Sequence, residues 1–152
     1  MAIARGAGTE IIRSASFSDI VGTSETNLII GVQHHIYTVL SMFFRVNAVN
    51  TAGTDTLKIG VRGYDSLGGT TAQFNEIFRH TIGAAQETFV WNDKFSFNGY
   101  EPTNFTGPLD DATKQDAVAD QGSSVAQKIT MYVSHASTQI NVHVTYIDQN
   151  NA

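Results

Sequence analysis

The sequence contains no cysteine and only two prolines among its 152 residues. Without cysteine, neither disulfide bonds nor thiolate metal sites can form. No window approaches the roughly 18 apolar residues of a membrane-spanning helix. The start, residues 1–8, also lacks the apolar run of an export signal. We therefore expect a soluble protein that is synthesised in a cytoplasm.

Charge is sparse as well, because Asp, Glu, Lys and Arg make up 15% of the residues. The net charge is −5, and the nine Lys and Arg residues are scattered along the sequence. This balance argues against a nucleic-acid partner, whose phosphates would require a basic cluster. The length predicts one domain, large enough to bury its own core.

Catalytic and phosphate-binding signatures are missing too, including G-x-S-x-G, H-E-x-x-H and the P-loop. His34 and His35 are adjacent, so in a strand they point to opposite faces and do not share a metal ion. They also lack the alternating spacing that a cupin-like enzyme would need. His135 and His143 flank a predicted turn but lie out of register for a shared site. We therefore expect no enzyme activity, no metal and no cofactor.

What the sequence does contain is a series of short β-branched and aromatic runs separated by turn signals. Eight antiparallel strands in two sheets would form an all-β, jelly-roll-like sandwich, and a closed eight-stranded barrel is the alternative. The strands are predicted at about 11–17, 28–32, 36–49, 55–64, 72–82, 88–97, 128–135 and 139–148.

Three of these strands have distinctive patterns. The run 36–49 is apolar on both alternating sets of positions and predicts a strand buried on both faces. In 88–97, Asp93 interrupts an aromatic stripe that includes Trp91, which predicts a bulge. The last two strands, separated by Ala136 and Ser137, are predicted to pair as a closing hairpin.

The segment from Asn98 to Gln127 departs from the β pattern. It carries both prolines and four of the chain's five net negative charges, so we predict a long acidic loop, compatible with a short helix over 109–119. The spacing of its acids matches no EF-hand, and a solvated loop is favoured over a Ca²⁺ site. Its acidic residues are Glu101, Asp110, Asp111, Asp116 and Asp120.

Two features suggest contacts with other subunits. Tyr100 and Phe105 are aromatic residues in this polar loop, and they either anchor it to its own sandwich or enter a neighbouring subunit. Residues 1–8 are predicted to form a flexible N-terminal arm. Arg5 and Arg13, in and near the arm, are candidates to pair with acidic residues of a partner.

The pattern of the whole chain resembles the small head-decoration (cement) proteins of tailed bacteriophages. The resemblance lies in the start Met1–Thr9, the aromatic strand Phe89–Tyr100 and the closing strand Val142–Gln149. It implies a non-enzymatic virion protein, a homotrimer on the outer capsid surface that binds the major capsid protein and stabilises the head. The net charge and the lack of a long apolar run independently argue against nucleic-acid and membrane partners. The resemblance assigns no site residue, because no defined motif matches.

The alternative hypothesis is a carbohydrate- or receptor-binding jelly-roll module. Such a module needs exposed aromatic side chains in a loop or groove, and the candidates are Tyr64, Tyr100 and Phe105.

Overall fold

The computed structural model describes residues 9–63, 73–100 and 126–150, together with Ala112. The regular structure in the three ranges consists of strands, which confirms the all-β prediction, and Ala112 is helical. They are β1 (Thr9–Val21), β2 (Thr26–Ile30), β3 (His35–Ala48), β4 (Thr56–Gly63), β5 (Gln73–Thr81), β6 (Thr88–Trp91), β7 (Phe95–Asn98), β8 (Lys128–Val133) and β9 (Gln139–Asn150).

The described strands pair in antiparallel fashion and form two sheets. Sheet 1 has the order β1-β9-β3-β6, with β7 also paired to β3, and sheet 2 has the order β2-β8-β4-β5. Because β6 and β7 pair with successive halves of β3, they act as one interrupted strand. The result is two four-stranded sheets in the strand order of a jelly roll. The sandwich prediction is therefore confirmed, and the barrel alternative is wrong.

The core lies between the sheets and takes alternate side chains from each strand, as the pleat requires. Sheet 1 contributes the larger share from its two central strands, β3 and β9. The buried apolar side chains of these two strands are Tyr37, Val39, Met42, Phe44, Val46, Ile140, Val142 and Val144. They face Leu28, Ile29, Leu57, Ile59, Ile129, Met131 and Val133 from sheet 2.

Strand β3 is not buried on both faces, so that prediction is wrong. A bulge between Val39 and Ser41 places one extra residue opposite β9. Before the bulge the side chains that point into the core are those of odd-numbered residues, Tyr37 and Val39. After it they are those of even-numbered residues, beginning with Met42. Phe43, on the opposite side of the strand, is half-exposed. The long apolar run therefore reflects one core face together with an apolar patch on the outside.

The bulge predicted at Asp93 is present as a break between β6 and β7. Trp91 pairs with Met42 and Phe95 pairs with Val39, which leaves three residues opposite two on β3. The rings of Trp91 and Phe95 stack across the break with centroids 5.4 Å apart. Both rings pack partly buried against the core.

The predicted closing hairpin is also wrong, although both of its strands exist. Strand β8 pairs with β2 and β4 in sheet 2, whereas β9 pairs with β1 and β3 in sheet 1. The turn 134–138 therefore crosses from one sheet to the other. Alternation in a sequence identifies the buried face of a strand but not the strand beside it. By contrast, β4 and β5 do pair with each other.

The sandwich has two different ends. One end, called the turn end, carries four short connections between described strands: 22–25, 49–55, 82–87 and 134–138. The other, called the loop end, carries the connection 31–34 and the positions where the described chain stops and resumes: Thr9, Gly63, Gln73, Tyr100, Ala126 and Asn150.

Candidate functional site

Three stretches of backbone meet at the loop end. The N–H of Gly31 donates to the carbonyl of Gln127 at 2.8 Å, and the N–H of Gln127 donates to the carbonyl of Gly99 at 2.9 Å. The N–H of Gly99 in turn donates to the carbonyl of His35 at 2.8 Å. This chain of hydrogen bonds ties together the ends of β2, β7 and β8.

The two glycines allow this meeting because neither has a Cβ atom. A Cβ on Gly31 would overlap the backbone of Gly99, and a Cβ on Gly99 would overlap the backbone of Val32. Glycine is the residue that permits so close an approach of two backbones. The base of the segment 101–125 is therefore held by main-chain contacts.

Two large apolar side chains project beside this junction. Ile30 is 55% exposed and Val32 is 50% exposed. Next to them, Tyr100 forms an isolated antiparallel bridge with Ala126 and is half-buried. Exposed apolar groups next to one another mark contact surfaces more often than isolated ones do. We call Ile30, Val32 and Tyr100 the loop-end patch.

A buried carboxylate lies just inside the loop end. Asp148 accepts hydrogen bonds from Arg13 Nε at 2.8 Å and pairs with His35 Nδ1 at 2.5 Å. Burial, and then the nearby charge of Asp148, raise the pKa of Tyr37 to about 12. The hydroxyl oxygen of Tyr37 accepts a hydrogen bond from the N–H of Val32 at 3.1 Å. The loop-end patch is thus linked to a polar cluster beneath it.

The structure describes two of the predicted interface residues. Arg13 bonds to Asp148 of its own chain while its side chain stays half-exposed, and Tyr100 belongs to the loop-end patch. Nothing in the sequence distinguishes Ile30 or Val32, because both belong to one predicted buried strand. Several predictions lie outside the described residues: the arm 1–8, the helix over 109–119 apart from Ala112, and Arg5, Tyr64, Phe105, Glu101, Asp110, Asp111, Asp116 and Asp120.

A second surface is a groove of about 450 Å³ on the outer face of sheet 1. It crosses β1, β9, β3 and β6, and none of the residues that line it is acidic. The sequence did not predict it, because its residues come from four strands far apart in the chain. The outward side chains that line it are Ser16, Ser18, Phe43, Arg45, Thr88, Val90, Asn141 and His143.

At the centre of the groove, Ser16 Oγ and His143 Nδ1 share a hydrogen bond of 2.6 Å. The imidazole of His143 stacks against the ring of Phe43 with centroids 5.9 Å apart. Within the described ranges, no carboxylate bonds to His143, so the pair lacks the third member of a Ser-His-Asp arrangement. The groove is thus equipped for binding through hydrogen bonds and apolar contact.

The part of the chain that the structure describes contains neither a metal-binding cluster nor a membrane-spanning helix. No group of three His, Asp or Glu side chains there is placed to hold a metal ion. Likewise, none of the described residues form a helix long and apolar enough to cross a membrane.

Comparison with known proteins gives little further information. No protein family matches the sequence, and no curated protein is similar to it. One similar solved structure is described by the words "Bacillus endospore appendages form a novel family of disulfide-linked pili". The two chains are 14% identical over 100% of this chain and 97% of that one, with a TM-score of 0.38. A similarity this weak supports no conclusion about function, and the resemblance to decoration proteins stays a prediction.

Proposed function

We propose that this chain is a non-enzymatic structural protein of a virion, a capsid decoration (cement) protein. In this proposal it binds the major capsid protein on the outer surface of the head as a homotrimer and stabilises the shell. The observation that carries the proposal is the loop-end patch, where Ile30 and Val32 project beside Tyr100. A jelly roll is a framework that capsid proteins use, which is compatible with this role.

Keeping the side chains of the loop-end patch in water costs free energy. Apolar surface in water is unfavourable by about 25 cal/mol per Å², so burying it against a partner would stabilise a complex. The hydrogen bonds of Gly31, Gln127 and Gly99 already fix the backbone beneath the patch. Binding would therefore order little additional backbone, which reduces its entropic cost.

The oligomeric state strengthens the same argument. A trimer would present three loop-end patches to a repeating lattice, and linked contacts of modest strength add up to high avidity. The net charge of −5 suits a protein that contacts other proteins and avoids packaged nucleic acid. No membrane contact is part of the proposal.

Co-sedimentation with phage heads assembled without this chain tests the proposal. The double variant Ile30→Ser/Val32→Ser should bind the heads about tenfold more weakly or worse, because the apolar contact is lost. The matched control is Val21→Ser, which removes a side chain of similar exposure, 45%, from the turn end. The control should bind like the unmodified chain.

Equal binding by the double variant and the control would contradict the proposal, as would failure of the unmodified chain to sediment with heads. Both variants change exposed side chains, so their free energies of unfolding should stay within about 0.5 kcal/mol of the parent. Native mass measurement supplies an independent check. A trimer supports the proposal, and a monomer at all concentrations contradicts its oligomeric part.

A further inference from the structure

The groove on sheet 1 has the size of a small-molecule site. Its volume of about 450 Å³ falls within the roughly 300–1,000 Å³ that ligand sites occupy. It also rests on β3 and β9, the two central strands of the sheet. A site on central strands keeps its shape better than a site on loops.

Polar side chains in the groove are held by neighbours. Ser16 fixes the imidazole of His143 through the 2.6 Å hydrogen bond. Arg45 Nη2 donates to Gln86 Oε1, which anchors the guanidinium at the edge of the groove. Side chains that are already oriented lose less freedom when a ligand binds.

Asn141 is held in the same way. Its Oδ1 accepts hydrogen bonds from the N–H of Asp19 at 2.8 Å and from Asn47 Nδ2 at 2.7 Å, which leaves its own N–H donors to offer. The carboxylate of Asp19, an acid at the rim, accepts from Asn47 at 2.9 Å. The groove therefore offers the amide donors of Asn141, and Arg45 provides a permanent positive charge.

Apolar contact comes from two neighbouring side chains. Phe43 and Val90 are opposite each other on β3 and β6, and they are 49% and 60% exposed. An aromatic ring next to hydroxyl groups and fixed donors suits a ligand that has both C–H surface and many hydroxyls. The hydroxyls of Ser18 and Thr88 extend the polar margin of the groove.

From these features we infer that the groove binds a carboxylate-bearing sugar of a glycan. The carboxylate would pair with the Arg45 guanidinium, whose planar fork fits that group. The C–H face of the sugar ring would contact Phe43 and Val90, and its hydroxyls would meet Asn141 and His143. A uronic acid and a sialic acid both offer this chemistry. The inference does not depend on the virion proposal, since it concerns a different surface.

Titration of the full chain by NMR tests the inference, with galacturonate oligomers and sialyllactose as the acidic sugars and lactose as the neutral one. At least one acidic sugar should bind about tenfold more tightly than lactose and shift the amides of residues 43, 45 and 143. The acidic sugar that binds shows whether the ligand carries a uronic acid or a sialic acid. Arg45→Gln should abolish the preference for the acidic sugar, and Phe43→Ser should weaken all sugar binding. Arg79→Gln, a matched change on sheet 2, should have no effect.

No sugar binding, equal binding of lactose and the acidic sugars, or an unchanged preference in Arg45→Gln would each overturn the inference. Binding of an acidic peptide in place of every sugar would do the same, and such a peptide is therefore included in the titration. None of these results bears on the loop-end patch, which shares no residue with the groove.

Discussion

The turn end and the loop end of the sandwich both use main-chain hydrogen bonds, but different side chains complete them. At the turn end, the buried carboxylate of Asp55 accepts a 2.5 Å hydrogen bond from Thr138 Oγ1. The same carboxylate accepts from the N–H groups of Asn50 and Thr51, each at 3.1 Å. One charged side chain therefore ties the connection 49–55 to the turn that crosses between the sheets.

At the loop end the closure is made by main chain against main chain, around Gly31 and Gly99. Gln127 Nε2 adds hydrogen bonds to the carbonyls of Asn98 and Tyr100. The side chains of Ile30 and Val32 project into solvent beside this closure. Closing an end of the sandwich and presenting apolar side chains to solvent are thus done by different residues. At the turn end the Asp55 carboxylate joins main-chain bonds in closing the sandwich, whereas at the loop end the side chains of Ile30 and Val32 stay exposed.

The largest expected effect comes from adding a methyl group to a glycine at the loop end, with a glycine at the turn end as the matched comparison. Gly99→Ala places a Cβ inside the backbone of Val32 and should lower the free energy of unfolding by about 3 kcal/mol. Gly83→Ala, at the turn end, meets only Glu87 Oε2 at 3.7 Å and should change it by less than about 1 kcal/mol. Denaturant unfolding measures both. Equal losses would show that the loop end is not closed by backbone contact.

A smaller effect is expected when a hydroxyl is removed from the turn end. Thr138→Val deletes the hydrogen bond to Asp55 and leaves a buried carboxylate with one donor fewer. Its loss of stability should lie below that of Gly99→Ala. Thr38→Val is the matched change, because the Thr38 hydroxyl bonds to Ser96 at 2.9 Å on the exposed face of sheet 1. If thermal unfolding shows equal losses for the two variants, Asp55 does not close the turn end.

Acid should weaken the turn end. The hydrogen bond from Thr138 is the main cause that holds the pKa of Asp55 below its ordinary value. A carboxyl whose pKa is lower in the folded state stabilises the fold above its unfolded pKa of about 3.9, and this contribution is lost as pH falls through the folded value. Asp55→Asn should therefore flatten the acid side of a plot of melting temperature against pH. An unchanged acid limb in this variant would contradict the assignment.

Alkali should weaken the loop end. Burial raises the pKa of Tyr37 to about 12, against about 10 in an unfolded chain. A group whose pKa is raised stabilises the fold fully below the unfolded value, and this contribution is lost as pH rises from about 10 to 12. Tyr37→Phe should lack this alkaline loss, although it also removes the acceptor for the Val32 N–H. Melting temperatures of Tyr37→Phe and of the unmodified chain, measured as pH rises from about 10 to 12, test this prediction.

The sequence was sufficient to predict features that depend on residues adjacent along the chain. Alternation located the strands, and Asp93 correctly indicated the break between β6 and β7. Pairing between distant strands could not be read in this way, because register and partner choice depend on tertiary packing. For that reason β8 and β9 were wrongly paired, and the bulge after Val39 was missed.

The same limit applies to surfaces. The groove gathers side chains from four strands, so no local pattern could reveal it. The basic residues that looked scattered provide a second example, because cross-strand pairing in sheet 2 brings four of them together. Lys58 is opposite Arg79, and Arg62 is opposite Lys128. A sequence predicts which residues face outward but not which of them become neighbours.

In our proposal the loop end contacts the capsid and the turn end does not. Hydrogen exchange of the chain, free and bound to heads assembled without it, tests this most directly. We predict slower exchange on binding at Ile30–Val32 and Asn98–Tyr100, with unchanged exchange in 49–55 and 134–138. Protection that appears at the turn end, or at neither end of a chain that does bind, would contradict the account.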